Sequence, residues 1–137
     1  PMASTRCMDG RCQATVGEWC RQHFGVAYPD TITIAGADGV LLTNEAEWER
    51  ALAMGRISAE KHGSSQAVVV GHSGCDGFVT TPEGHQEAVR SAVAKLASAG
   101  IFDTVVGLYH DVDTDQLTEV CRAHGTKAAV PMATLAL

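Results

Sequence analysis

Short β-branched segments alternate along this chain with longer segments that have the spacing of amphipathic helices. A glycine follows most of the helical segments, at Gly25, Gly63 and Gly100, as is common where an α-helix ends. Strands and helices that alternate in this way are typical of a parallel sheet with helices packed against it. The pattern therefore predicts an α/β fold with a central, mainly parallel β-sheet flanked by helices.

The size and charge of the chain narrow its class further. With 137 residues, 45% of them hydrophobic, the sequence predicts a single domain over residues 1–137. The formal net charge is -6 and no basic cluster stands out, so we expect no binding to nucleic acid or to a membrane surface. No leader pattern opens the chain, and no apolar run approaches the roughly 20 residues of a membrane span, which predicts a cytoplasmic protein.

The element boundaries follow from local signals. Predicted strands are one that ends at Arg6 or Cys7, then Thr31–Ile34, Gln66–His72 and Asp103–Val112. Predicted helices are one over about Cys12–Phe24, one from the Asn44 cap towards His62, one with Val89, Ala92, Val93 and Leu96 on one face, and a short one from the Thr114 cap to His124. The last segment, "AAVPMATLAL", is predicted to be a terminal strand or tail, held at a sheet edge by Pro131.

Soft metal ligands follow two of the predicted strands. Cys7 lies at the end of the first strand, and "GHSGC" at the end of the third offers His72 and Cys75. The carboxyl ends of parallel strands meet at one edge of an open sheet, so the three side chains could surround a single ion. Two thiolates and one imidazole suit tetrahedral zinc, and three protein ligands leave a fourth position open, as in catalytic sites.

Two other interpretations of these three residues remain open. Cys7 and Cys75 could stay protonated in the core while His72 packs against glycines. The two cysteines could instead be a redox pair that closes as a disulfide. Five cysteines are an odd number in a chain that can build its own core, which favours reduced thiols over a disulfide framework.

Asp9 and Arg11 follow Cys7 at alternate positions. If the strand continued that far, the three side chains would project to the same side. Arg11 would then hold Asp9 ionised, and Asp9 could accept a hydrogen bond at the metal. The alternative is an ion pair at the surface or at a helix N-terminus with no catalytic role.

The remaining cysteines and histidines are expected to be mainly structural. The cysteines on predicted helices are expected to be core or surface thiols: Cys12, Cys20 and Cys121. The histidines near helix ends are expected to be exposed or to contact the helix dipole: His23, His62, His85 and His124. His110 and Asp111, at the end of the fourth strand, could line the same crevice as the metal ligands or be structural.

The two motifs give the chain its resemblance to a known family. "CMDGR" and "VVVGHSGC" are similar to the CxDxR and HxxC signatures of the β-class carbonic anhydrases. "PDTITIAGADGVL" resembles the second strand of that family, and "VVGLYHDVDTDQLTEV" resembles its late strand and the turn after it. These segments occur in the expected order, so the chain is expected to be a compact member that lacks the family's N-terminal helical arm.

The resemblance implies one zinc ion per chain, held by Cys7, His72 and Cys75, with Asp9 and Arg11 as catalytic residues beside it. It implies a zinc lyase that hydrates carbon dioxide reversibly to bicarbonate through zinc-bound hydroxide. One alternative is hydrolysis of carbonyl sulfide or carbon disulfide at the same zinc, and another is a catalytically silent zinc-binding assembly module. A homodimer or higher homo-oligomer is expected, because so short a chain would borrow pocket walls from a partner.

Overall fold

A computed structural model describes residues 1–125 as one five-stranded sheet with helices on both faces. The elements in chain order are β1 (Met2–Arg6), α1 (Gln13–Phe24), β2 (Asp30–Thr33), α2 (Ala37–Thr43), α3 (Glu45–His62), β3 (Gln66–His72), α4 (Pro82–Ser98), β4 (Thr104–Asp111) and β5 (Gln116–His124). A short 3-10 turn, Gly10–Cys12, precedes α1. The predicted terminal strand or tail in "AAVPMATLAL" lies outside the described residues.

The strand order across the sheet is β2-β1-β3-β4-β5. The first four strands run parallel to one another, and β5 pairs antiparallel with β4 at one edge. This arrangement confirms the predicted α/β fold with a mainly parallel sheet. Because β1 and β3 are neighbours, the segments that leave their carboxyl ends start side by side.

The helices cover the two faces of the sheet through separate apolar clusters. On one face, Val16 and Cys20 of α1 pack with Val68 and Val70 of β3. On the other face, residues of α2, α3 and α4 form a larger cluster that includes Val69. Successive side chains of β3 therefore point to opposite faces and both are buried, as expected for a central parallel strand.

The helix ends follow the local signals in the sequence. The Asn44 side chain accepts a hydrogen bond of 3.1 Å from the Glu47 backbone N–H, which confirms the predicted start of α3. Gly25 and Gly63 take left-handed conformations directly after α1 and α3. No helix in the part of the chain that the structure describes is long and apolar enough to cross a membrane.

The predicted short helix from Thr114 to His124 is wrong, because this segment forms β5. Asp111 Oδ1 accepts hydrogen bonds from the backbone N–H groups of Asp113 and Thr114, which tightens the turn after β4. Asp115 then adopts a φ of 59°, and the chain reverses into an antiparallel hairpin. Pairing with β4 outweighs the helical spacing of the apolar residues in this segment. The structure also contains α2, which the sequence interpretation did not predict.

Asp30 connects the start of β2 to the end of α3. Asp30 Oδ2 accepts a 2.6 Å hydrogen bond from Ser58 Oγ and lies 2.7 Å from His62 Nδ1. Burial tends to raise the pKa of Asp30, but the hydrogen bonds from Ser58 and His62 outweigh it, and the pKa is lowered. A pKa that is lower in the folded state stabilises the fold above the ordinary carboxyl pKa of about 3.9, and this contribution is lost as the pH falls through the folded value.

Asp30→Asn is therefore expected to lower the free energy of unfolding by about 1 kcal/mol at pH 6. The difference from the wild type should shrink towards zero as the pH falls through the lowered pKa of Asp30, because the wild-type carboxylate then becomes protonated. Urea unfolding at pH 6 and at low pH measures both quantities. Glu60→Gln, at an exposed carboxylate of α3, is the control, and an equal effect there would contradict the assignment.

Candidate metal centre

Two neighbouring strand ends bring the three predicted metal ligands together. Cys7 follows β1 directly, His72 is the last residue of β3, and Cys75 lies in the turn that follows. The Sγ atoms of Cys7 and Cys75 are 4.0 Å apart. The candidate ligand atoms of all three residues lie within 4.8 Å of one another, and the three side chains are buried. Within residues 1–125 this is the only group of three or more such side chains.

The arrangement fits a zinc ion. Two sulfur atoms at about 2.3 Å from a tetrahedral ion are about 3.8 Å apart, close to the observed 4.0 Å. His72 Nε2 is buried and has no hydrogen-bond partner among residues 1–125. A buried ring nitrogen without a partner is unfavourable, and a bound ion would supply the missing interaction. Donor type, spacing and the unpartnered nitrogen are thus consistent with one another.

Hydrogen bonds from β4 and the β3 turn orient the His72 ring. His72 Nδ1 lies 2.7 Å from the Ser73 carbonyl oxygen, which accepts a hydrogen bond from the Nδ1–H group, so the lone pair is on Nε2. The Ser73 backbone N–H donates to the His110 carbonyl at 3.0 Å, and the Ser73 hydroxyl accepts from the Val112 backbone N–H at 3.0 Å. The tautomer of His72 is therefore the one that a metal ligand through Nε2 requires.

Backbone amides act on both sulfur atoms. The Gly36 N–H donates to Cys7 Sγ at 3.4 Å. Burial raises the pKa of the Cys75 thiol, while hydrogen bonds from the backbone amides of Phe78 and Gly77 oppose that increase. Amide donors of this kind stabilise a sulfur that carries negative charge. These donors would stabilise the thiolate form that binds metal, while burial keeps the pKa of the free Cys75 thiol raised.

Asp9 and Arg11 form a close ion pair beside the cluster, in a turn and not on a continued strand. The strand ends at Arg6, and Asp9 caps the 3-10 turn that contains Arg11. Asp9 Oδ2 lies 2.7 Å from Arg11 Nη2, and the Arg11 side-chain hydrogen bond lowers the pKa of Asp9 to about 2. Arg11 Nη2 also donates to the Gly74 carbonyl at 3.1 Å, so it links the two motifs. Asp9 lies outside the three-residue cluster.

The structure also shows a buried pair that the sequence interpretation missed. His85 was expected to be exposed or to contact the helix dipole, but its side chain is 1% exposed and lies 2.7 Å from Asp38, which is 2% exposed. Burial raises the pKa of Asp38, although the hydrogen bond from His85 opposes the increase. A carboxylate in the otherwise apolar segment "AGADGVLL" is the one signal in the sequence that could have drawn attention to Asp38.

The other candidates from the sequence have structural surroundings. His110 is fully buried, and its Nε2 atom lies 2.7 Å from Asp115 Oδ1, outside the cluster. Cys12 and Cys20 are buried in the core, as expected. Cys121 lies on β5 and not on a helix, because the segment after β4 is a strand.

The fold and the cluster together define an α/β protein with a candidate metal centre of two thiols and an imidazole at the carboxyl edge of its sheet. A family model described as "Putative carbonic anhydrase" matches residues 2–121. The chain therefore belongs to the carbonic anhydrase family, and this membership implies that it is an enzyme. A search of curated proteins found no match.

Solved structures share this fold at low sequence identity. A carbonic anhydrase from Streptococcus mutans is 23% identical, with a TM-score of 0.57 and coverage of 88% of this chain and 81% of that chain. The apo form of a carbon disulfide hydrolase is 15% identical, with a TM-score of 0.57 and coverage of 85% and 76%. A tetrameric β-carbonic anhydrase from Sordaria macrospora is 14% identical, with a TM-score of 0.50 and coverage of 89% and 81%. The fold is therefore that of the β-carbonic anhydrases.

Proposed function

We propose that this protein hydrates carbon dioxide reversibly to bicarbonate, with one zinc ion held by Cys7, His72 and Cys75. The main support is the buried cluster of two sulfur atoms and one unpartnered imidazole nitrogen, in a chain that belongs to the carbonic anhydrase family. The redox alternative is less favoured, since the Sγ atoms are 4.0 Å apart and a disulfide would leave His72 Nε2 without a partner.

The residues around the cluster have distinct tasks in this reaction. Zinc, when bound, lowers the pKa of a water molecule and so supplies a nucleophile for the carbon atom of carbon dioxide. Asp9, kept ionised by Arg11, accepts a hydrogen bond from a water molecule or from the hydroxyl group of bicarbonate. Arg11 holds Asp9 in place through its guanidinium group and anchors the pair to the Gly74 carbonyl. Asp9 and Arg11 are thus proposed as the catalytic residues beside the metal.

Stopped-flow hydration of carbon dioxide by the zinc-loaded protein, at pH 7 and near pH 9, tests this proposal. We expect turnover at both values and a higher rate near pH 9, because two thiolates cancel the charge that acidifies water more strongly in a site with three neutral ligands. Asp9→Asn should lower the rate by about 100-fold, in the range typical for loss of a group that handles protons. A zinc-loaded wild type without turnover at either pH would refute the proposed function.

Hydrolysis of carbon disulfide or carbonyl sulfide is the second candidate. It is supported by the fold similarity to a protein described as a carbon disulfide hydrolase. In a silent zinc-binding module, Asp9 or another side chain would fill the fourth position on the metal. This module is less favoured, because Asp9 forms an ion pair with Arg11 and does not belong to the cluster. Release of sulfide from either sulfur compound, measured on the same sample as carbon dioxide hydration, separates the two enzyme activities.

We also propose that the protein acts as a homo-oligomer, at least a dimer. The support is fold similarity to a β-carbonic anhydrase described as tetrameric. In addition, Met8, directly after the ligand Cys7, is 66% exposed and lines an open groove with Ile34 and Val40 beside the centre. In the oligomer, a second subunit would bury this groove. A monomeric mass for an active sample, measured by light scattering, would contradict this assignment.

A further inference from the structure

A second pair of buried polar side chains lies next to the metal centre. His85 Nδ1 is 2.7 Å from Asp38 Oδ2, and the side chains are 1% and 2% exposed. Asp38 is in the first turn of α2 and His85 in the first turn of α4, so this bond joins two helices across 47 residues of chain. A buried carboxyl group is unfavourable unless it is hydrogen-bonded, so each side chain depends on the other.

The pair is fixed against the end of β3. The His85 ring lies nearly parallel to the His72 ring, with 6.4 Å between the ring centroids and 14° between the planes. A Cβ atom at Gly71 would lie 2.6 Å from Asp38 Oδ2, so the carboxyl group occupies the space that a side chain at this position would need. The position of His85 is thus set by the strand that carries His72.

His85 also contacts the segment that carries Cys75. The Phe78 ring meets His85 edge to face, with 5.3 Å between the centroids and 89° between the planes. The Phe78 ring also packs against Gly39, where a Cβ atom would clash with it. Phe78 lies three residues after Cys75, in the segment between β3 and α4. The place of the Phe78 ring therefore affects how this segment presents the Cys75 sulfur.

We propose that Asp38 and His85 are positioning residues for the metal centre, which act through Phe78 to hold the segment that carries Cys75. Asp38 fixes the orientation of the His85 ring, and His85 supports the Phe78 ring by an edge-to-face contact. His85 Nε2 has no hydrogen-bond partner among residues 1–125, so the pair works by packing and not through a longer hydrogen-bonded chain. The inference rests on the proposed metal ligands and not on the proposed turnover.

Metal affinity and the spectrum of the cobalt-substituted protein test this role. Zinc affinity is measured by competition with a chromophoric chelator, and Co²⁺ reports the sulfur ligands through its thiolate charge-transfer and d–d absorption bands. We expect His85→Gln and Asp38→Asn each to weaken zinc binding by about tenfold, the lower end of the usual effect of residues that support metal ligands. The cobalt charge-transfer bands should shift or lose intensity in both variants.

A double-mutant cycle tests the route through Phe78. If His85 acts through Phe78, then Phe78→Ala should weaken zinc binding about as much as His85→Gln, and the double variant should be no weaker than either single one. Independent roles would instead multiply to about 100-fold. Additive effects, or zinc affinity and cobalt spectra like those of the wild type in both His85→Gln and Asp38→Asn, would overturn the inference.

Val93→Ala is the matched control for a general loss of stability. Val93 is buried on α4, as His85 is, and belongs to the apolar cluster of that face. Val93→Ala should lower the melting temperature and leave the zinc affinity and the cobalt spectrum unchanged. An equal loss of zinc affinity in this variant would also overturn the inference.

A wild type that binds zinc without hydrating carbon dioxide would refute the proposed function alone. A wild type that binds neither ion would refute the positioning role whatever its turnover.

Discussion

Cys7→Ser is expected to remove stoichiometric zinc from the purified protein and to abolish carbon dioxide hydration. The substitution replaces one of two thiolates with a hydroxyl group that stays protonated and binds zinc weakly. Structural zinc sites bind with about 10–16 kcal/mol, so loss of one of three protein ligands should weaken zinc binding by on the order of a thousandfold. Metal analysis should find about one zinc per chain in the wild type and almost none in the variant.

Cys121→Ser provides the matched control for this experiment. Cys121 is a free, partly buried cysteine on β5 and lies outside the cluster. The Cys121→Ser variant should keep both its zinc and its activity. Full zinc occupancy in Cys7→Ser would contradict the ligand assignment. A wild type without zinc, in which mass spectrometry finds a disulfide between Cys7 and Cys75, would instead support the redox interpretation.

Gly36→Ala is expected to have the second largest effect, on stability and on the metal centre together. Gly36 has a φ of 67°, which is unfavourable for a residue with a side chain, and a Cβ atom here would clash with the Gly77 carbonyl group. Strain and overpacking together should lower the free energy of unfolding by about 2–4 kcal/mol. Zinc binding should weaken as well, because the Gly36 amide donates to Cys7 Sγ and the segment it would displace carries Cys75.

Substitutions at two other glycines separate backbone strain from the close contact as causes of this effect. Gly63→Ala introduces the same backbone strain at a φ of 75° with no atom near the new methyl group, and should cost about 1–2 kcal/mol without loss of zinc affinity. Gly10→Ala has neither positive φ nor a close neighbour and should be nearly neutral. Urea unfolding and zinc competition measure all three variants. If Gly36→Ala is no worse than Gly63→Ala, the close approach of residues 36 and 77 is not important.

Local signals gave most of the secondary structure correctly. The Asn44 cap, the glycines after α1 and α3, and the apolar run of β3 depend on a few neighbouring residues, and all were confirmed in the structure. The hairpin strand β5 was missed because its apolar residues also fit a helix, and only pairing with β4 decides between the two. The helix α2 was missed because its sequence has no capping side chain.

The sequence by itself also predicted which residues could bind metal. Cys7, His72 and Cys75 were identified because each lies at or just after a strand end, and parallel strands bring such ends to one edge. The ion pair of Asp9 and Arg11 was expected from spacing in both interpretations of these residues, yet the 3-10 turn that forms it was not predicted. Motifs whose residues lie close together in the sequence can thus be identified from the sequence alone.

Only the tertiary structure decided what supports those residues. The contact of Arg11 with the Gly74 carbonyl joins positions 63 residues apart, and the bond of Asp38 to His85 joins positions 47 apart. Such contacts cannot be predicted from periodicity or from neighbouring residues in the sequence, because they depend on how helices and loops pack once the sheet has formed. The sequence determined four of the five described strands, three of the four described α-helices and the candidate ligands, whereas long-range packing determined how those ligands are held.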